Sequence, residues 1–148
     1  MAVQRDDPYG AFNFLVEVDG VGDPGAPSGA FTEVSGLSSE VGVIEYRTGA
    51  EDLGVRKLPG LKAFGDVTLA RGVTGDLDFW NWAKTALDGA VQRATVAITL
   101  LDEARNPVMR WRLRRAWVRG YVGPRLNARG NCVAIERLVL AHEGLELD

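Results

Sequence analysis

The clearest pattern in the chain is an alternation of apolar and basic residues from Met109 to Arg114. Alternation with a period of two predicts a β-strand with one buried face. If the strand runs unbroken from Val108 to Tyr121, it spans roughly 45 Å at about 3.3 Å per residue, well beyond the usual length of about 17 to 20 Å. A chain of 148 residues cannot easily shelter such a strand alone.

Six further segments show strand-like apolar patterns. They are residues 12–18, 31–34, 41–48, 66–71, 93–101 and 132–142.

Two of the predicted strands change phase midway. In the arginine-rich strand, Trp111 and Leu113 share a parity that Ala116 and Val118 do not, and in the last strand Val133 and Ile135 give way to Leu138 and Leu140. Bulges, or strands that pass from one sheet to another, produce such changes. We therefore expect a mainly β (α+β) fold in which two packed antiparallel sheets form a β-sandwich or barrel-like domain and share long, bent strands.

One helix is predicted, over residues 76–88, and it would flank the sheets. Phe79, Trp82, Ala83 and Ala86 recur there at three- and four-residue spacing, which is typical of a helix with one buried face. Thr74 is the expected N-cap.

A long polar connection is predicted at residues 48–63, where glycines, a proline and charges of both signs replace the alternation. Connections longer than about twelve residues are usually functional or disordered. This segment is therefore a candidate functional loop.

Composition indicates one globular domain over residues 1–148, with 46% hydrophobic and 25% charged residues. No apolar run approaches the roughly eighteen residues of a membrane span, and residues 1–10 lack the apolar stretch of a signal peptide, so we expect synthesis in the cytoplasm and no membrane insertion. Cys132 is the only cysteine, which excludes an internal disulfide and a cysteine-based zinc site within one chain.

No catalytic, metal or cofactor site is predicted. Cys132 and His142 lie ten residues apart on one predicted strand, too far for a nucleophile and its base. The glycine-rich segment 20–29 lacks the ending of a phosphate-binding loop, and the paired acids at 6–7 and at 76 and 78 lack calcium-loop spacing.

The arginine-rich stretch 105–129 holds eight arginines and no acid, whereas the whole chain has a net charge of −3. We expect this face to be solvated or paired with acids on a neighbouring strand. The alternative is a small β-domain that binds nucleic acid through this stretch, because arginines interleaved with Trp111, Trp117 and Tyr121 could neutralise phosphates and stack on bases.

A series of motifs in fixed order resembles the inner tube proteins of contractile phage tails and contractile injection systems, over nearly the whole chain. The motifs are DPYG at 7–10, FNFLVEVDG at 12–20, EVSGL at 33–37, VIEYR at 43–47, VRKLPGL at 55–61, VTLARG at 67–72, LLDE at 100–103, AW at 116–117, GP at 123–124, LNA at 126–128, VAIE at 133–136 and LAHEGL at 140–145.

The resemblance implies a structural subunit, not an enzyme, that forms hexameric rings stacked into a hollow tube. It also implies four kinds of partner: a sheath protein, a baseplate or hub, tube-terminating proteins, and a luminal cargo of protein or DNA. The chain would then be a component of an injection particle or phage tail. The 48–63 connection resembles the family's inter-ring hairpin loop, and its candidate contacts are Glu51, Asp52, Arg56, Lys57, Leu58, Leu61 and Lys62.

Barrel geometry agrees with a tube. About eight strands only just enclose their own side chains, whereas roughly twenty-four strands, about four from each subunit, give a backbone diameter of roughly 50 Å. A closed ring also removes exposed sheet edges. The candidate residues that face the lumen are Glu45, Arg47, Arg110, Arg112 and Arg114.

Overall fold

The computed structural model describes residues 2–19, 31–49 and 54–148. These residues form strands and one helix in the order β1 (Phe14–Val18), β2 (Glu33–Ser35), β3 (Ser39–Tyr46), β4 (Arg56–Phe64), β5 (Val67–Gly72), α1 (Asp78–Leu87), β6 (Ala94–Leu101), β7 (Pro107–Val122), β8 (Ile135–Ala141) and β9 (Gly144–Leu147).

Two antiparallel sheets account for these strands. A seven-stranded sheet has the order β1-β6-β7-β8-β5-β2, with β9 also paired to β7, and β3 and β4 form a separate two-stranded sheet. The prediction of a mainly β fold with two antiparallel sheets and one helix is confirmed. Within the described ranges the sheets do not close into a barrel in one chain.

The long strand β7 is confirmed at 16 residues and joins two parts of the large sheet. Its first half pairs with β6 and β9, and its second half pairs with β8. A bulge explains the change of phase: Val96 pairs with Leu113 but Ala94 pairs with Ala116, so β7 holds an extra residue there. Arg115 takes up the irregularity with a φ of 51°, and both Leu113 and Ala116 are therefore buried.

The predicted change of phase in the last strand is wrong. Strand β8 begins at Ile135 and keeps one register with β5 throughout, so Glu136, Leu138 and Leu140 all face the core. Val133 lies before the strand and is exposed. The error arose because a glutamate occupies an inward position, and its charge is matched inside the fold by Arg71.

The predicted connection at 48–63 is also wrong over its second half, because β4 occupies Arg56–Phe64 and pairs with β3. Most residues of β4 are exposed, so neither face shows the alternation that reveals a half-buried strand. Pro59 and Gly60 further disguised it. The other strands lie within three residues of their predicted positions, and β9 was not predicted.

Helix α1 packs on the large sheet through Phe79, Trp82 and Ala83. The predicted range of 76–88 was slightly too long, and Thr74 is not the N-cap, which is Leu77. The carboxylate of Asp76 accepts a bond from the backbone N–H of Asp78 at 3.0 Å and so satisfies one free donor at the helix start.

The residues before β1 fold back against the turn after β6. Arg5 makes two bonds to the Glu103 carboxylate, at 2.8 and 2.9 Å, and its guanidinium lies 3.9 Å from the centre of the Tyr9 ring. The bonds from Arg5 lower the pKa of Glu103 from an ordinary 4.5 to about 2.

Candidate assembly surfaces

The β3–β4 hairpin projects apolar side chains into solvent. Every residue of β3 is exposed. The most exposed apolar side chain of the hairpin is Leu61, at 89%, followed by Val43 at 63%. The other exposed large apolar side chains of the hairpin are Val41, Ile44, Tyr46 and Leu58. So many exposed large apolar side chains on one hairpin are typical of an interface.

Most of the predicted inter-ring residues lie together on this hairpin. Strand β4 carries Arg56, Lys57, Leu58, Leu61 and Lys62, and Glu51 and Asp52 lie outside the described residues. Glu45, predicted to face the lumen, is on the same hairpin because it pairs in register with Lys57. Arg47 follows the end of β3.

The remaining predicted lumen residues, Arg110, Arg112 and Arg114, lie on β7 in the large sheet, apart from the hairpin residues Glu45 and Arg47. Arg112 pairs with Asp148 and Arg114 with Glu146, each at 3.2 Å, while Arg110 bonds to the Thr99 hydroxyl at 3.3 Å.

Two further arginines of β7 also meet acids. Arg115 pairs with Glu143 at 2.8 Å, and Arg119 pairs with Asp66. The expectation of a face that is solvated or paired with acids is confirmed for Arg112, Arg114, Arg115 and Arg119, each of which meets an acid. Sequence reasoning did not identify Glu146 as a partner because the short strand β9 was not predicted.

A buried ionic cluster was also missed. Arg71 is 5% exposed, and its Nε lies 2.6 Å from Oε1 of Glu136, while the Tyr121 hydroxyl donates to Oε2 of Glu136 at 2.8 Å. That bond and burial raise the pKa of Tyr121. Arg71 also donates to the Asp76 carbonyl at 3.0 Å and stacks on Phe79, so the cluster anchors the start of α1. The signal for it was a glutamate at an inward position of a strand.

Cys132 and His142 lie in different environments. Cys132 is an exposed thiol, and both ring nitrogens of His142 lie near backbone carbonyl oxygens, those of Gly144 and Gly65. Among residues 2–19, 31–49 and 54–148, no group of three or more metal-binding side chains is present. In the same part of the chain, no helix has the length and apolar character needed to cross a membrane.

An open antiparallel fold with an exposed apolar hairpin and ion-paired strand faces defines a structural subunit built for assembly. Residues 10–146 match the model of the family described as T4-like virus tail tube protein gp19, and the chain belongs to that family. A search of curated proteins found no match.

Solved structures agree with this assignment. The chain is 25% identical to a chain of the sheath–tube complex of an extracellular contractile injection system, PVC, with a TM-score of 0.83 over 95% of this chain and 91% of that one. It is 28% identical to a chain in the six-fold symmetrised baseplate of the anti-feeding prophage, with a TM-score of 0.85 over 97% of both chains. Hcp1 from Flavobacterium johnsoniae shares the fold alone, with 10% identity and a TM-score of 0.54 over 90% of this chain and 93% of that one.

The protein is therefore a tail tube protein of a contractile injection system or phage tail. Its role is structural, not enzymatic.

Proposed function

We propose that copies of this chain close into hexameric rings, and that the rings stack into a hollow tube whose bore conducts protein or DNA cargo. The similar chains come from a sheath–tube complex, a six-fold symmetrised baseplate, and structures of a sheath/tube terminator and a tube-terminating cap. We infer the matching partners here: a sheath around the tube, a baseplate or hub at one end and a terminating protein at the other. The subunit is made in the cytoplasm before it joins the particle.

The exposed β3–β4 hairpin is the observation that carries this proposal. Full burial of one large aliphatic side chain is worth about 1.5 to 3 kcal/mol, and Leu58, Leu61, Val43 and Ile44 are all at least 44% exposed in the single chain. Burial of these side chains against neighbouring copies supplies a driving force for stacking. The charges of Arg56, Lys57 and Lys62, together with those of Glu51 and Asp52, set the register between rings.

Ring closure follows from the ends of the large sheet. Strands β1 and β2 terminate its strand order and each has one neighbour in the described chain. Exposed edges of this kind pair readily with other strands. In a ring, each edge meets the next subunit, and the joined sheets of six subunits enclose a bore.

We infer that the surface facing the bore carries Arg110, Arg112 and Arg114, with Glu45 and Arg47 from the hairpin. Because Asp148 and Glu146 lie within 3.2 Å of Arg112 and Arg114, the lining has charges of both signs. A mixed, hydrated surface holds a passing cargo only weakly, which suits a conduit.

Replacement of Leu61 or Leu58 by Asp tests the role of the hairpin. We expect each variant to keep the wild-type circular dichroism and thermal midpoint but to form single rings in negative-stain micrographs, since a buried carboxylate would oppose stacking. Leu87→Asp, at another exposed leucine on α1, is the matched control and should leave the tubes intact. Long tubes in the Leu61→Asp and Leu58→Asp variants would refute the proposed contact.

A further inference from the structure

The exposed hairpin is a continuation of a ribbon that begins in the large sheet. Strands β2 and β5 pair antiparallel, and Ser35 lies opposite Thr68. Ser39, four residues after Ser35, lies opposite Phe64, which is four residues before Thr68. The register is therefore unchanged across the gap between the two sheets, and β2–β3 and β4–β5 are the two legs of one long hairpin with a bend.

Glycines occupy both legs at this bend. Gly36 has a φ of +88°, and a Cβ there would overlap the carbonyl oxygen of Asp66. A Cβ on Gly65 would overlap the hydroxyl of Ser38, whose carbonyl accepts the Gly65 N–H at 3.3 Å. Each leg thus has a residue without a side chain where the legs cross closely, and only glycine permits this approach.

Side chains from the large sheet hold the bend on one side. The Nε2 atom of His142 lies 2.9 Å from the Gly65 carbonyl oxygen, and its Nδ1 lies 3.1 Å from that of Gly144. The imidazole also packs against the Phe64 ring, with 5.7 Å between centroids. Arg119 of β7 pairs with Asp66, the residue after Gly65. Both contacts join the hairpin base to strands that do not belong to it.

We propose that Gly36 and Gly65 form a hinge, and that His142 and Arg119 are positioning residues that latch it and so fix the direction in which the β3–β4 hairpin meets the next subunit. This inference rests on the proposed role of the hairpin in stacking. The two ring nitrogens of His142 contact two different carbonyl oxygens, so the ring joins the hairpin base at Gly65 to the chain at Gly144.

The charged groups around His142 form ion pairs with one another. Asp66, beside Gly65, is paired with Arg119, and Glu143, beside His142, is paired with Arg115. The Arg114 guanidinium lies over Gly144 and pairs with Glu146.

The hairpin direction can be measured with two spin labels, one on Cys132 and one on Glu45→Cys. Labelled subunits are diluted into an excess of unlabelled Cys132→Ser protein, and the distance distribution is recorded by pulsed electron resonance. We expect a narrow distribution when His142 is present. In His142→Gln we expect a broader distribution and a tube-forming concentration raised at least about threefold, because the contacts of the imidazole with the Gly65 carbonyl and the Phe64 ring are lost.

The Arg119–Asp66 half of the latch is tested by a charge swap. Asp66→Arg should broaden the distribution, and Asp66→Arg with Arg119→Asp should restore it, which a general loss of stability would not do. Glu103→Arg disrupts the Arg5–Glu103 ion pair, which is of comparable exposure and lies at the opposite end of β7 from Arg119, and should leave the distribution unchanged.

The latch is refuted if His142→Gln and Asp66→Arg both keep the wild-type distance distribution and tube-forming concentration. The role of the hairpin in stacking is judged separately, because Leu61→Asp removes the apolar contact and leaves the latch intact. Tubes that persist in Leu61→Asp contradict the proposed function, while the distances in His142→Gln still decide the latch.

Discussion

Arg71 and Glu136 place opposite charges inside the fold, with 6% and 11% of their side chains exposed. Burial of two charges is costly, and their attraction offsets that cost only when the geometry is good and the remaining polar atoms are bonded. Tyr121 and the Asp76 carbonyl complete the bonding here. The cluster therefore links β5, β7 and β8 to the start of α1.

Removal of one charge from this cluster should strongly destabilise the protein. We expect Glu136→Ala to lower the free energy of unfolding by about 3 to 5 kcal/mol, because Arg71 then keeps a buried charge without a carboxylate. Urea unfolding measures the loss. The double variant Arg71→Met with Glu136→Leu should lose much less, and a loss below about 1 kcal/mol in Glu136→Ala would contradict this account.

Among the secondary structure elements, the ones with one buried face were predictable. Alternation located β7 and its bulge, because Leu113 and Ala116 both face the core, and helical spacing located α1 through Phe79 and Trp82. Strand β4 was missed because it has no core to face, so its sequence carries no alternation. Strand β8 was assigned the wrong phase because the partner of Glu136 lies 65 residues away.

The assembly surfaces show the same division. The family motifs pointed to the candidate inter-ring segment, and five of its seven candidate residues, Arg56, Lys57, Leu58, Leu61 and Lys62, lie on β4. The acids opposite the arginines could not be inferred, because Asp148, Glu146 and Asp66 reach β7 only through strand pairing and corner geometry. The hinge glycines and His142 were likewise hidden, since their contacts depend on the crossing of two chain segments.

The bend between the hairpin and the sheet should tolerate a side chain at Gly36 less well than the chain tolerates one at Gly75. Gly36 and Gly75 both have positive φ values, of 88° and 86°, but an added Cβ meets a backbone oxygen only at Gly36. We expect Gly75→Ala to cost about 1 to 2 kcal/mol from the left-handed backbone alone. Gly36→Ala should cost clearly more, because the Asp66 carbonyl must also move. Thermal or urea unfolding compares the two, and equal losses would show that the legs are not in close contact at Gly36.

At the scale of the whole molecule, the single chain buries the apolar side chains of its core but leaves those of the hairpin exposed to water. One cluster of buried side chains joins both halves of the large sheet with α1, whereas the hairpin exposes Leu61 and Val43. We propose that other copies of the same chain cover this surface. The ion pairs along β7 are compatible with this arrangement, because four of its arginines are already paired with acids of the same subunit.

We expect the purified chain to bury its exposed hairpin and pair its sheet edges by assembly into a tube. Electron cryomicroscopy of the protein over a range of concentrations tests it most directly. We expect six-fold rings that stack into filaments, with a β-barrel wall of roughly 50 Å backbone diameter around an open bore. A well-folded monomer at every concentration, without rings or filaments, would contradict the account.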